Sequence, residues 1–317
     1  MPDNIELSSQ DKALLALGRE LHAAGYRFTT VTPLTQERVN ARPENAWAHD
    51  LAGVFGWSRP FRSDILAPSM LALMREADIL SPAEGGWRSK LRLSSLGEQL
   101  FFHSAFPTTA ADAVFFGPDT FRFVGAIRAT LPRLSEPPRR AFDIGCGAGP
   151  GGLAITAYAP ESEVLLGDIN EGALRLARVN AVLNAASNAR VLRSDLLADA
   201  DGAFDLIVSN PPYLIDPTER AYRHGGGAFG EGLSVRILET ALARLAPGGT
   251  LLLYTGSAVV GGVDAFGTAA RRVLAKPGFR WTYAELDPDV FGEELEAGPY
   301  AKADRIAAVV LTVQKDA

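Results

Sequence analysis

The sequence predicts an α/β fold whose main domain contains a largely parallel sheet. Seven apolar runs of strand length follow Arg140, and helical patterns such as 171–183 and 233–245 lie between most of them. Alternation of strands and helices places parallel strands in one sheet with helices on both faces. The chain has 317 residues, 47% of them hydrophobic, which is enough for the cores of two domains.

The first 105 residues are interpreted as a smaller, mostly helical domain. Ser8 or Ser9 precedes an apolar stripe that ends near Leu21, which predicts a capped helix. Residues 64–80 predict a second helix, and residues 87–93 and 99–103 predict a hairpin. A helix followed by a hairpin is typical of a winged helix. We therefore expect a substrate-recognition or lid domain over 1–105 and a larger ligand-binding domain over 106–317.

A proline breaker at 135–138 lies just before the strand–helix alternation of the larger domain. Ligands of open parallel sheets bind at the carboxyl ends of the strands, so the residues that follow each strand are the candidate site. The predicted strands are AFDIG from 141, EVLLGD from 163, ARVLRSD from 189, FDLIVSN from 204, TLLLYTG from 250, RWTYAEL from 280 and RIAAVVLTV from 305.

The first of these strands runs into a glycine-rich turn. Gly145, Gly147 and Gly149 allow a tight turn and a close approach of the backbone to a ligand. The helix that follows presents free N–H groups at its N-terminus. The turn can be read as G-x-G-x-G or, from Gly147 to Gly152, as G-x-G-x-x-G, so by itself it does not choose between S-adenosylmethionine and NAD.

Acidic residues at three strand ends favour S-adenosyl-L-methionine. Asp143 can hold a cationic ligand and would repel a pyrophosphate, whereas Asp168 can accept both ribose hydroxyls of either cofactor. Asp195 can accept a hydrogen bond from an adenine amino group. Each carboxylate alone is also explained as a helix cap or a loop residue, but their order along the strands favours a cofactor site. The predicted cofactor-binding residues are Asp143, Gly145, Cys146, Gly147, Gly149, Asp168, Ile169, Ser194, Asp195 and Asn210.

The fourth strand runs into Asn210, Pro211, Pro212 and Tyr213, which are the predicted catalytic residues. Two consecutive prolines enforce a rigid, extended backbone. This loop can offer the Asn210 side-chain oxygen and the Pro211 carbonyl to the two N–H bonds of a planar amino group. Tyr213 can stack on a planar amide or base and orient its nitrogen. The alternative is a purely structural role, in which these residues form a turn that only ends the strand.

Together these motifs resemble the class I S-adenosylmethionine-dependent methyltransferases that carry an Asn-Pro-Pro-Tyr motif. The resemblance covers about residues 110–317 and implies a Rossmann-like sheet of seven strands whose last strand, from Arg305, is antiparallel. Within this class the chain resembles HemK-like enzymes, which methylate a glutamine of peptide release factors, through its glycine-rich segment 225–233. The stretch 117–120, Gly-Pro-Asp-Thr, also resembles the small-domain methyltransferases that modify RNA.

The expected function is N-methylation of a planar amino group, with a slight preference for a protein glutamine. The partner is a protein of the release factor or ribosomal protein type, or a nucleic acid. Alternatives are methylation of an RNA or DNA base, a small-molecule or non-methyl reaction on the same cofactor, a cofactor-sensing DNA-binding regulator, and an NAD oxidoreductase. A net charge of −6 and a pI near 5.4 argue against unspecific binding of polyanions.

The sequence also predicts a cytoplasmic protein with no membrane or metal partner. No apolar run is long enough to span a bilayer, and the polar N-terminus does not resemble a signal peptide. The single cysteine, Cys146, cannot form an internal disulfide or a cysteine-based metal site.

Overall fold

The computed structural model describes residues 7–216, 220, 222–296 and 298–317. The chain forms two compact units. One unit comprises Met1–Phe121, Gly147–Pro150 and Gly172–Ser187, and the other comprises Arg122–Cys146, Gly151–Glu171 and Asn188–Ala317.

The N-terminal part of the first unit is mostly helical, as predicted. The Ser8 hydroxyl accepts a hydrogen bond from the Asp11 N–H at 3.1 Å and so caps the first helix. The apolar stripe of this helix, including Leu14, Leu17 and Leu21, is fully buried. The elements are α1 Ser9–Ala23, α2 Pro33–Asn40, α3 Leu51–Phe55, α4 Pro68–Glu76, β1 Leu80–Ala83, β2 Gly86–Ser89, β3 Leu91–Leu96 and β4 Gln99–Ser104.

Two boundaries in this region differ from the sequence prediction. The helix predicted over 64–80 is α4 alone, because Pro68 opens it and Asp78 adopts a positive φ of 55° just after it. The strand predicted over 87–93 is divided between β2 and β3. The Ser89 hydroxyl accepts from the Leu91 N–H and donates to the Leu91 carbonyl, which turns the chain and sends the two halves into separate hairpins.

The rest of the chain alternates strands and helices, as predicted. Its elements are α5 Pro118–Thr130, β5 Arg140–Ile144, α6 Pro150–Tyr158, β6 Glu163–Asp168, α7 Glu171–Leu183, β7 Ala189–Arg193, β8 Phe204–Ser209, α8 Gly232–Arg244, β9 Leu245–Val260, β10 Val263–Asp264, α9 Ala265–Val273, β11 Phe279–Asp287 and β12 Arg305–Lys315. Short 3-10 helices lie at Pro43–Asn45, Ser63–Ile65, Leu131–Arg133, Gly292–Glu296 and Gly298–Tyr300.

The main sheet confirms the predicted fold class. Its strand order is β11-β12-β9-β8-β5-β6-β7, and the two-residue β10 pairs with β9. The strands from β9 to β7 are parallel, whereas β12 is antiparallel to both of its neighbours, as the resemblance implied. One face packs side chains such as Phe142, Ile207 and Leu251 against apolar residues of α8 and α9.

The register brings four strand ends to one edge of the sheet. Ile144 of β5 pairs with Gly167 of β6 and with Ser209 of β8. Asp168 at the end of β6 pairs with Arg193 at the end of β7. The chain order reverses between β5 and β8, and in open α/β sheets such a switch point leaves a crevice for a ligand. The segments that follow these four strands therefore form the candidate site.

Candidate active site

The turn between β5 and α6 has the conformation that the glycine pattern predicts. Gly145, Gly147 and Gly149 have φ values of 66°, 55° and 88°, a region that side chains other than glycine rarely adopt. A Cβ added at Gly145 or Gly147 would meet no atom within 4 Å. These glycines are therefore required by the backbone conformation, and the space beside two of them is open to a ligand.

Asp143 lies in β5 just before this turn, and only one of its two carboxylate oxygens has a hydrogen-bond partner among the described residues. Its side chain is 1% exposed, and Oδ2 accepts a hydrogen bond from the Gly152 N–H of α6 at 2.7 Å. Oδ1 is buried and has no partner among the described residues. Burial raises the pKa of Asp143 to about 7, the Gly152 hydrogen bond opposes this, and the nearby Asp168 adds to it. A buried acceptor without a partner is costly, so it favours a cationic or hydrogen-bonding ligand at this position.

Asp168 and Ile169 form the next part of the edge. Asp168 is half-buried, and its Oδ1 accepts from the Asn170 N–H at 2.9 Å, which holds the loop before α7 in a tight turn. Ile169 is 53% exposed, and it directly follows the half-buried carboxylate. An exposed aliphatic side chain beside a carboxylate offers an apolar surface for a flat base and an acceptor for hydroxyls.

Ser194 and Asp195 follow β7 and differ in their surroundings. Ser194 is 2% exposed, and its hydroxyl donates to the Leu196 carbonyl and accepts from the Asp199 N–H. The Ser194 N–H donates to the Asp168 carbonyl at 3.0 Å, which joins the two loops. Asp195 is exposed, and its carboxylate forms no hydrogen bond or ion pair with described residues. Ser194 thus shapes the loop, whereas Asp195 is available to a ligand.

The Asn-Pro-Pro-Tyr loop begins directly after Ser209, beside the end of β5. The Ser209 hydroxyl donates to the Ile144 carbonyl at 2.8 Å and fastens these two strand ends together. Asn210 is half-buried, and its amide forms no hydrogen bond with the part of the chain that the structure describes. The Pro211 carbonyl likewise accepts none from those residues. Two adjacent acceptors are therefore held on a rigid backbone next to the glycine turn.

Tyr213 of this loop is buried against strand β9 and against an aromatic residue that is far away in the sequence. A Cβ at Gly256 of β9 would lie 2.2 Å from the Tyr213 ring, so only glycine leaves room for the ring there. The ring also meets Phe291 edge-on, with centroids 5.9 Å apart. Tyr213 is 7% exposed, and its ring orientation is therefore set by packing.

The glycine-rich segment after the motif packs directly on the backbone of the motif. A Cβ at Gly230 would lie 1.9 Å from the Tyr213 carbonyl oxygen, and one at Gly225 would lie 2.8 Å from the Pro212 carbonyl oxygen. The Leu214 carbonyl accepts from the Gly225 N–H at 2.7 Å. These glycines therefore support the loop, which explains their pattern in the sequence. The nearby His224 uses Nδ1 to accept from the Asp216 N–H.

Tyr300 is a site residue that the sequence reasoning missed. It is 1% exposed, and its hydroxyl accepts from the Ile215 N–H at 2.9 Å and donates to the Phe229 carbonyl at 3.1 Å. Burial raises the pKa of Tyr300 to about 12, so the hydroxyl keeps its proton and remains a donor at neutral pH. It connects the segment that follows the Asn-Pro-Pro-Tyr motif to the glycine-rich segment 225–233. No local pattern marks a residue that acts 85 positions from its partner.

Residues 126–259 match the family model "Methyltransferase small domain". A release factor glutamine methyltransferase of Neisseria gonorrhoeae is 33% identical over 227 residues, which are 65% of this chain and 76% of that enzyme. The chain belongs to the family of the release factor glutamine methyltransferases. This confirms the resemblance inferred from the motifs.

Other relatives match this chain over shorter stretches. The release factor glutamine methyltransferase of Deinococcus radiodurans is 37% identical over 46% of this chain and 55% of that enzyme. The chain spans about half the length of the first curated relatives it matches. A ribosomal RNA small subunit methyltransferase C of Haemophilus influenzae is 40% identical over 84 residues, 26% of this chain and 25% of that enzyme.

A solved structure supports the fold alone. Methanocaldococcus jannaschii Trm5 in complex with adenosine superposes with a TM-score of 0.50 at 15% identity, over 73% of this chain and 58% of that one. Among the residues that the structure describes, no helix is long and apolar enough to cross a membrane. Within those same ranges no group of three or more His, Cys, Asp or Glu side chains is arranged to hold a metal ion.

Proposed function

We propose that this protein transfers a methyl group from S-adenosylmethionine to the side-chain amide nitrogen of a glutamine in a peptide release factor. The observation that carries this proposal is a pair of acceptors that no described residue uses, the Asn210 amide oxygen and the Pro211 carbonyl, beside the glycine turn. The family membership supports the type of reaction, and the printed function of the relatives supports a release factor as the substrate.

The residues at the carboxyl ends of β5, β6 and β7 fit S-adenosylmethionine. The Oδ1 of Asp143, which has no partner among the described residues, matches a ligand with positively charged groups, and the open space beside Gly145 and Gly147 admits its methionine part. In our assignment Asp168 holds the ribose hydroxyls, Ile169 packs against the adenine and Asp195 accepts from the adenine amino group. Cys146 is buried, and its N–H donates to the Gly167 carbonyl at 3.0 Å, so we assign it to the shape of the turn.

At the site for the methyl acceptor, the Asn210 side-chain oxygen and the Pro211 carbonyl accept hydrogen bonds from the two N–H groups of the glutamine amide. Both acceptors are neutral oxygens, so they orient the nitrogen and increase its electron density without removing a proton beforehand. Tyr213 packs against the plane of the amide and, with Pro212, limits its rotation. When bound, S-adenosylmethionine supplies an activated methyl group on a sulfonium.

A protein substrate is favoured over a nucleic acid by the charge around the acceptor side. The chain carries a net charge of −6, and the segment 287–294, which begins at the last residue of β11, contains four acidic residues and no basic one. Two of the four, Asp287 and Glu294, are paired with Arg122 and Arg223. Such a rim is unfavourable for a phosphate backbone. We assign residues 1–105 to recognition of the substrate protein or to a lid, and residues 106–317 to cofactor binding and transfer.

The first experiment incubates the purified protein and radiolabelled S-adenosylmethionine with purified release factor. We expect label in the factor, at a glutamine identified by tandem mass spectrometry. A parallel reaction with a lysate from cells that lack the gene is divided by protease, RNase and DNase treatment. Label that only RNase or DNase removes would overturn the proposed substrate, and a chain that does not bind S-adenosylmethionine would overturn the proposed function.

The variant Asn210→Ala tests the assignment of the acceptor. It removes one of the two acceptors and none of the described hydrogen bonds of the fold. We expect methyl transfer to fall by about a hundredfold or more, while the affinity for S-adenosylhomocysteine changes less than about threefold. A loss of cofactor affinity in this variant would contradict the assignment of roles.

A further inference from the structure

The side chain of Asn180 on α7 binds two separate stretches of backbone. It is fully buried, and its Oδ1 accepts from the Phe102 N–H at 2.8 Å. Its Nδ2 donates to the Phe102 carbonyl at 3.0 Å and to the Ala148 carbonyl at 2.9 Å. Phe102 belongs to β4, in the N-terminal region, whereas Ala148 lies between Gly147 and Gly149 of the glycine turn. One side chain thus uses both of its N–H bonds to join a hairpin to the cofactor turn.

Asn184, one helical turn further along α7, provides a close comparison. Its Oδ1 accepts from the Leu100 N–H at 3.0 Å, and its Nδ2 donates to the Leu100 carbonyl at 2.8 Å. Leu100 and Phe102 are alternate residues of β4 and present their N–H and C=O groups to the same edge. The remaining bond of Asn184 goes to the Asn180 carbonyl of its own helix at 2.8 Å. Both asparagines therefore hold β4, but only Asn180 also holds the turn.

Other contacts within the same compact unit fix α7 to the N-terminal region. The Arg175 Nε lies 2.5 Å from Asp11 Oδ1 in the first turn of α1. A Cβ at Gly18 of α1 would lie 2.9 Å from the Phe102 ring and 3.0 Å from Leu183 of α7. Helix α1, strand β4 and helix α7 are therefore closely packed around Asn180, and a displacement of β4 would strain its hydrogen bonds to the turn.

The Ala148 carbonyl is part of a backbone that must keep an uncommon conformation. The residues on both sides of it have positive φ values, and Ala148 itself is 1% exposed. A buried carbonyl that loses its partner is energetically costly, so loss of the Asn180 bond would favour other conformations of the turn. Binding free energies that are coupled in this way are reciprocal between the two sites.

We propose that Asn180 is a positioning residue that couples cofactor binding at the glycine turn to the order of the β3–β4 hairpin. A ligand that fixes the turn then stabilises the hairpin, and a partner that engages the hairpin raises the affinity of the turn for its ligand. The proposal depends on the proposed function only for the identity of the ligand. It gives the N-terminal region a role in cofactor binding in addition to any role in recognising the substrate.

The first test measures hydrogen exchange of the β4 amides in the unaltered protein, with S-adenosylhomocysteine as the probe. We expect saturation with the probe to slow the exchange of the Phe102 amide by about fivefold or more, because opening of β4 would break the bond to the turn. An exchange rate that does not change in a protein shown to bind the probe would overturn the proposal. This test needs no variant, so it stands even if a substitution prevents folding.

The second test compares Asn180→Ala with Asn184→Ala by calorimetry. Each variant loses two hydrogen bonds to one residue of β4, but only Asn180→Ala also loses the hydrogen bond to the Ala148 carbonyl of the glycine turn. We expect the Kd for S-adenosylhomocysteine to rise about tenfold in Asn180→Ala and less than about threefold in Asn184→Ala. In Asn180→Ala, the KM for S-adenosylmethionine should rise while kcat at saturation changes little. General structural damage would instead lower kcat and leave KM unchanged.

A further variant, Asn180→Asp, keeps the acceptor for the Phe102 N–H and removes both N–H donors. It should weaken probe binding at least as much as Asn180→Ala. Equal probe affinity in the unaltered protein, Asn180→Ala and Asn180→Asp would overturn the coupling and leave the proposed function intact. Absence of probe binding in the unaltered protein would overturn the proposed function itself, so the two failures are distinguishable.

Discussion

Replacement of Asp143 by Asn should change cofactor binding and stability in opposite directions. The carboxylate is 1% exposed, and only one of its oxygens has a partner among the described residues. Burial raises its pKa from 3.8 to about 7. A shift of this size corresponds to about 4 kcal/mol of unfavourable free energy for the charged form in the folded protein.

The sign of the pH dependence follows from that shift. Below about pH 4 the carboxyl group is protonated in the folded and unfolded states, and its contribution to stability is fully present. As the pH rises toward about 7 the unfolded chain ionises first, so this stability is progressively lost. The neutral amide of Asp143→Asn avoids the loss and retains an oxygen for the Gly152 N–H. We therefore expect the variant without ligand to be more stable than the unaltered protein at pH 8, by about 1 kcal/mol or more.

Asp143→Asn should weaken cofactor binding, although it stabilises the ligand-free protein. With a pKa of about 7, the ionised fraction of Asp143 rises about tenfold between pH 6 and pH 8, and the affinity for the cationic S-adenosylmethionine should rise by a similar factor. Asp143→Asn should bind weakly at both pH values and lose this dependence. The assays are calorimetry for the affinity and denaturant unfolding of the ligand-free protein for the stability. A variant that keeps the full pH dependence, or that is less stable at pH 8, would refute the reasoning.

The remaining predictions concern packing and surface. Gly256→Ala places a Cβ 2.2 Å from the Tyr213 ring, so kcat should fall by about tenfold or more at unchanged cofactor affinity, as steady-state kinetics would show. Gly125→Ala, in an exposed and open position of α5, should stabilise the protein by about 0.5–1 kcal/mol in thermal unfolding. Ile169→Ser should raise the Kd for S-adenosylhomocysteine by about tenfold in calorimetry, because Ile169 is 53% exposed in the structure and, in our proposed assignment, loses that exposure to the adenine. Tyr300→Phe leaves two backbone groups without their partner and should lower stability by about 1–3 kcal/mol, whereas an unchanged unfolding midpoint would show that the hydroxyl is dispensable.

The sequence by itself determined the elements and the chemistry of the larger domain. Strand-length runs predicted all seven principal strands. The runs of the parallel strands are largely apolar because strands buried in a parallel sheet pack on both faces, whereas β11 is antiparallel and largely exposed. The turn from Gly145 and the loop from Asn210 could be recognised because each motif consists of a few consecutive residues. The direction of β12 came from resemblance and not from local pattern, since a strand's own residues carry little information on the direction of its partner.

Only the tertiary structure decided which residues support that chemistry from a distance. It showed that Ile144 and Ser209 are paired neighbours, and that the turn and the acceptor loop therefore begin side by side. It also placed Tyr300 between two loops, and Asn180 between β4 and the glycine turn. These contacts join residues far apart in the chain through hydrogen bonds to backbone groups. Backbone groups are the same at every position, so no pattern of residue types can identify their partners before the chain is folded.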